Sequence, residues 1–325
     1  MLFQNPTAQP VKVTATALGE GGQRYELTLT LQPYARGGID IRNASNFTNL
    51  NTGQFNQQLP DGNYGFLIEA EGLVVAALSH YDANNRATSG VAGTPGRGST
   101  TGVIPEGQIG LEGDSEKLGL TNPNSTPATV LLKFQFQSGT SYRTTVNVPA
   151  FGRQTLDVGS LPNFPADEPY GISFQSPTPV AISLLTQARG DEFAAAYGAA
   201  AHTFWGFGEG FRPGKQQQNN NPVFEFLRLF NPTDETATVE IALVYTDGTS
   251  DVVRRSLEGN RVREFNIIDE LILPERGDGR LFFSITVKSS VPIVAYMSHF
   301  DSFFPGGFGT LGTPLGLPIP IPASE

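Results

Sequence analysis

Two short stretches set an imidazole and a carboxylate two residues apart: Ser79-His80-Tyr81-Asp82 and Ser298-His299-Phe300-Asp301. Residues i and i+2 of a strand share a face, so His80/Asp82 and His299/Asp301 are candidate metal or acid–base pairs. Each pair offers two ligands where a stable metal site takes three or four. Mid-chain, the matching positions hold Thr186 and Ala188. The expectation is structural: each pair closes a strand end and its turn, with no metal and no cofactor bound.

Other chemistry is thin. Gly307–Gly312, GFGTLG, fits a dinucleotide-binding glycine pattern, but that pattern needs a helix after the turn, and Pro314, Pro318, Pro320 and Pro322 forbid one. No nucleophile elbow of the G-x-S-x-G kind is present. Trp205, the only tryptophan, is expected in a core. The reading is that the chain is not an enzyme.

The residues that must position these groups come in three copies. LFQNPTAQPVKVTATAL from Leu2, GLTNPNSTPATVLLKFQF from Gly119 and RLFNPTDETATVEIALVY from Arg228 each hold Asn-Pro, a small polar turn and an alternating apolar stretch. Each copy continues through a turn to a second alternating strand. Next comes a segment with Arg36, Arg153 or Arg261 shortly before Asp40, Asp157 or Asn266. Last is a hairpin: YGFLIEAEGLVVAALSHYD, YGISFQSPTPVAISLLTQA or FFSITVKSSVPIVAYMSHFD. Period-two alternation broken by Gly, Pro, Asn and Asp predicts strands throughout, with IIDELIL (Ile267–Leu273) the one short helical signal. The predicted fold is all-β: three tandem antiparallel β-sandwich (Ig-like) domains at 1–100, 101–203 and 204–316, then an extended tail at 317–325. Gln216–Asn221 is expected to be a loop.

Composition narrows the partners. With 31 acidic against 21 basic residues, a net charge of −10 argues against nucleic acid and anionic membranes. The absence of cysteine excludes disulfides, thiolate zinc sites and a cysteine nucleophile. No apolar run reaches the roughly 18 residues of a membrane helix, so no membrane insertion is expected. The opening MLFQNP has neither the basic start nor the apolar stretch of a signal peptide.

Trp205, Phe207, Glu209 and Gly210, followed by Asn231-Pro232, form a pattern that resembles repeat modules of secreted and cell-surface bacterial proteins. The second copy joins it through Asn122-Pro123, Pro149, Arg153 and Pro179-Val180-Ala181, while the first has no leading Glu-Gly strand. Those modules are largely uncharacterised β-sandwiches without assigned catalysis, and the resemblance implies an extracellular or cell-surface location. Combined with the apolar tail, it leads to a structural role: a subunit of a head-to-tail filament or surface array. Leu315, Leu317, Ile319 and Ile321 of one copy would complete the first repeat of the next beside Leu2 and Phe3. The partner would then be self; the alternative is an adhesin or glycan-binding tandem with a cell-surface glycan as ligand.

Overall fold

The computed structural model describes all residues except 83–86, 93–95, 111–114, 189–191, 199, 221, 272, 274–278, 302–305 and 317–325. Among the described residues the chain is all-β and its strand pairs are antiparallel, in four sheets. Helix is confined to Lys215–Asn220, where a loop was expected, Ile267–Glu270, and a 3₁₀ turn at Val158–Ser160. None is long and apolar enough to cross a membrane.

Each repeat builds two sheet layers around its own core. In repeat two, Ala128–Phe136 pairs with Ser141–Val148, as the intervening Ser-Gly turn dictates. Ser115–Asn122 pairs with Gly152–Asp157 in the other layer. The alternation decides which face is buried: Ala128, Val130, Leu132, Phe134 and Phe136 turn inward, and Thr129 and Leu131 outward.

The apparent hairpins are not hairpins. Tyr170–Ala188 is one strand of 19 residues, and Leu281–Asp301 one of 21. The first half of Tyr170–Ala188 pairs with Leu131–Phe136 in one layer, and the second half with Ser115–Thr121 in the other. Prolines at 177, 179 and 292, which lack an N–H and interrupt a ladder, sit near the crossing rather than in a reversal. In repeat one the same path is broken into Tyr64–Ala70 and Val75–Asp82, which likewise pair in different sheets.

Three buried asparagines explain why every repeat opens with Asn-Pro. Asn5, Asn122 and Asn231 are each fully buried. The side-chain N–H groups of Asn5 donate to the carbonyls of Gln9 at 2.7 Å and Gln32 at 3.0 Å, while its oxygen accepts from the Thr7 N–H at 2.9 Å. Asn122 donates to Thr126 at 2.8 Å and Pro149 at 3.1 Å and accepts from the Asn124 N–H at 3.0 Å. Asn231 donates to Glu235 at 2.7 Å and Leu257 at 3.2 Å and accepts from the Thr233 N–H at 3.0 Å. One amide thus ties the first strand's end to its own turn and to the end of the second hairpin strand.

Successive repeats meet through equivalent surfaces. A Cβ at Gly65 would lie 2.0 Å from Thr121, and one at Gly171 would lie 2.6 Å from the Phe230 ring. Thr121 and Phe230 occupy the same position, one residue before the Asn-Pro of repeats two and three. Glycine is required because a side chain of the next repeat packs directly on the backbone there. The cores also interlock: Tyr296 of repeat three is fully buried in the core of repeat two, a burial worth about 1.5–3 kcal/mol.

Removing the Asn231 amide leaves the buried Leu257 carbonyl and the part-buried Glu235 carbonyl without that donor. Asn231→Ala should therefore cost about 2–4 kcal/mol, read by urea unfolding of repeat three through Trp205 fluorescence. A change below about 0.5 kcal/mol, the scale of an ordinary surface substitution, would contradict the role assigned to Asn231.

Candidate functional site

The polar chemistry of this chain is concentrated in buried carboxylates that carry the same offset from Asn-Pro. Glu116 lies six residues before Asn122, and Glu225 six before Asn231, and both are completely buried. An even spacing along a strand turns both side chains inward. Each carboxylate faces the long crossing strand, Glu116 opposite Thr186 and Glu225 opposite His299.

Both hold the leading Glu-Gly segment of their repeat. The Gln108 N–H donates to Glu116 at 2.6 Å, and the Phe211 N–H donates to both oxygens of Glu225 at 3.1 Å. Preceding them, Gly107 and Gly210 lie flat on the rings of Tyr170 and Phe283, where any Cβ would come within 2.1 and 2.2 Å. Glu106 and Glu209 are thereby delivered to equivalent places, but Glu106 is buried and Glu209 exposed.

The two repeats meet the cost of burying a carboxylate differently. In repeat three, His299 Nδ1 bonds Glu225 at 2.9 Å, and its ring stacks on Phe308 at 5.2 Å between centroids. Burial works against the imidazolium, but the hydrogen bond and charge of Glu225 outweigh it and hold His299 above its ordinary value near 6.5. In repeat two the neutral Thr186 stands in that place, its hydroxyl 3.3 Å from Glu116, and the Tyr170 hydroxyl also donates to Glu116. Burial dominates there and raises Glu116 to about 8, against the pull of the Gln108 N–H.

Around Glu106 the cluster crosses from repeat two to repeat three. Arg228 pairs with Glu106 and with Glu264, and donates to the Gln108 side-chain oxygen at 3.1 Å. Burial lifts Glu106 to about 7 despite Arg228 beside it. Burial also works against the guanidinium, but Glu106 and Glu264 outweigh it, so Arg228 is held firmly cationic. At the junction of repeats one and two no such cluster forms among the described residues. Gly119 takes the position of Arg228, and Arg153 fills the space and donates to the Tyr64 carbonyl at 3.1 Å.

His299 serves Glu225 rather than Asp301; the side chains of His80 and Asp82 lie outside the described residues. Among the described residues no group of three or more His, Asp or Glu side chains is arranged to hold a metal. Trp205 is buried and donates to the carbonyls of Ile293 at 2.9 Å and His202 at 3.2 Å. Asp40 and Asn266 cap their turns, accepting N–H groups of Arg42 and of Ile268 and Asp269. Phe3 is buried in the core of its own repeat, with Leu2 half-buried. Leu315 donates its N–H to Phe204 of its own repeat at 2.9 Å; Leu317, Ile319 and Ile321 lie outside the described residues.

With the geometry in place, comparison with known proteins identifies the class to which part of the chain is similar. Residues 200–305, the third repeat, match the family model of the Anabaena sensory rhodopsin transducer. Among solved structures, Thermotoga maritima 1070 is 23% identical over 35% of this chain and 95% of that one, with a TM-score of 0.30. The Anabaena sensory rhodopsin transducer itself is 26% identical over 30% and 89%, with a TM-score of 0.26. No curated protein matches the chain.

The family match corrects the resemblance to secreted and cell-surface modules. Trp205, Phe207, Glu209, Gly210 and Asn231-Pro232 all lie inside the stretch that matches the transducer family. Their work in this chain is core packing and turn closure, which any family sharing such an interior needs, so they misdirected the assignment. The same match overturns the filament or surface-array role argued from the apolar tail, with its head-to-tail strand complementation, along with the adhesin or glycan-binding alternative and the secreted placement.

The His299–Glu225 pair gives a signed expectation. Because His299 is held above its ordinary value, its contribution to stability is complete below about pH 6.5 and is lost as pH rises through the raised value. The His299 ring resonances should titrate above 6.5 and fall back in Glu225→Gln. An unshifted midpoint in the unmodified protein would contradict the assigned pair.

Proposed function

We propose that this chain is a non-catalytic signal transducer that works by docking on a partner protein, with a sensory rhodopsin as the partner class. The observation that carries this reading is the match of residues 200–305 to the sensory rhodopsin transducer family. The geometry is compatible with it: the buried clusters of ionisable groups are ties between strands and between repeats. They hold surfaces in position and offer no substrate an approach.

The domain division belongs to the same proposal. Residues 1–100, 101–203 and 204–316 are three tandem β-sandwich units of one ancestry, of which the third has kept the family's sequence most clearly. The equivalent asparagine ties at Asn5, Asn122 and Asn231 support that division.

Binding of the purified chain to Anabaena sensory rhodopsin in nanodiscs tests the function. The expected result is a saturable complex with a Kd of about 10 μM or tighter, and an affinity that differs between illuminated and dark receptor. No complex in either state would overturn the proposal.

A further inference from the structure

Repeats two and three are joined by more negative charge than the junction can hold. Glu106, Glu116 and Glu264 converge on Arg228, so full ionisation would leave three carboxylates against one guanidinium. Glu106 is 3% exposed, Arg228 8% and Glu264 19%, and Glu116 is fully enclosed. An uncompensated charge in such a place is far costlier than a neutral acid. One Glu106 oxygen is buried with no hydrogen-bond partner among the described residues, and such an oxygen carries a proton more cheaply than a charge.

The groups form a continuous line across the junction. Glu116 accepts from the backbone of Gln108, the side-chain oxygen of Gln108 accepts from Arg228, and Arg228 holds Glu106 and Glu264. From the strand facing Glu116 come Thr186 and the Tyr170 hydroxyl. At the rim of the same junction, Lys133 and Gln135 both donate to Asn260, which in turn donates to Asp234.

We propose that this junction is a proton-operated latch: protons held on Glu106 and Glu116 keep repeats two and three locked together, and their loss releases the lock. Once the junction opens, water reaches Glu106 and its ordinary acidity returns, while Glu116, bonded within repeat two, follows through the charges of Glu106 and Arg228, so deprotonation favours the open form. The lock is complete at acidic pH and weakens as pH rises through about 7 and 8, the values to which burial lifts Glu106 and Glu116. The junction of repeats one and two rests on Arg153 at the Tyr64 carbonyl and on Arg24 stacked 4.9 Å over the Phe151 ring. It has no buried acid cluster and should not respond. The shared core around Tyr296 keeps the two repeats attached, so release loosens their relative orientation without separating them, whichever partner the chain serves.

The chain has no cysteine, so introduced cysteines carry spin labels at chosen sites alone. Thr126→Cys with Glu235→Cys places labels at equivalent exposed turns of repeats two and three; Gln9→Cys with Thr126→Cys does the same for repeats one and two. Distances are measured by pulsed electron spin resonance at about pH 6 and about pH 9, a window that brackets both carboxyls. The expected result is a narrow 126–235 distribution at the lower pH that broadens and lengthens reversibly at the higher, while the 9–126 distribution stays fixed. Glutamine is neutral like a protonated glutamate, so Glu106→Gln/Glu116→Gln should keep the narrow distribution at both pH values while leaving His299 free to titrate. A 126–235 distribution that does not change with pH would overturn the proposal, as would equal changes at both junctions or a pH response that persists in the double variant. If the double variant does not fold, the contrast between the two junctions decides the question alone.

Discussion

The buried asparagine of each Asn-Pro turn is the constraint from which the remaining architecture follows. A primary amide sealed from water must find its partners inside, and each unmade bond costs on the order of 1–3 kcal/mol. In each repeat the partners are backbone groups of two separate segments, the turn after Asn-Pro and the end of the second hairpin strand. Those bonds leave little freedom in where the first strand ends relative to the hairpin. A one-residue slip would turn the amide outward and strand its acceptors. Register is thereby fixed, and with it the inward phase of Glu116 and Glu225, six residues upstream of Asn122 and Asn231.

From that fixed register the two acids meet different fates, and one residue on the facing strand makes the difference. Opposite Glu225 stands His299, which bonds it at 2.9 Å and is held above its ordinary value by it. Opposite Glu116 stands Thr186, which brings no charge, and burial lifts that acid to about 8. The first arrangement is a local pair inside repeat three. The second leaves a buried acid beside the leading segment, and Gln108 links that acid to Arg228 in the following repeat. The packing of two equivalent modules thus supports dissimilar electrostatics, and pH acts on the contact between repeats as well as inside one.

Much of this was legible in the sequence. The three Asn-Pro turns, the alternating strands and the core position of Trp205 all follow from residue type and spacing. The crossing strands were misread, because a Pro or Gly in the middle of a long alternating stretch looks the same in a reversal and in a passage between two layers. Glu116 was passed over because an acid between Ser115 and Lys117 resembles a solvent-facing position. Its phase tells otherwise: Glu116, Leu118, Leu120 and Asn122 share one face, and the same spacing recurs at Glu225. Arg228 carries no such signal, since its partners Glu106 and Glu264 are distant in sequence. Family membership was misassigned for a physical reason too: turn and core residues report what a β interior requires, and unrelated families share that requirement.

The central claim, that an enclosed asparagine amide anchors each repeat, is tested most directly by hydrogen exchange of side-chain amides observed by NMR. Exposed amides exchange on contact with water, whereas enclosed ones must wait for the structure around them to open. The side-chain amide protons of Asn5, Asn122 and Asn231 should persist as long as the slow backbone amides of their own repeats, while that of the exposed Asn46 disappears at the rate of a free amide. Exchange of all four at the same fast rate would contradict the account.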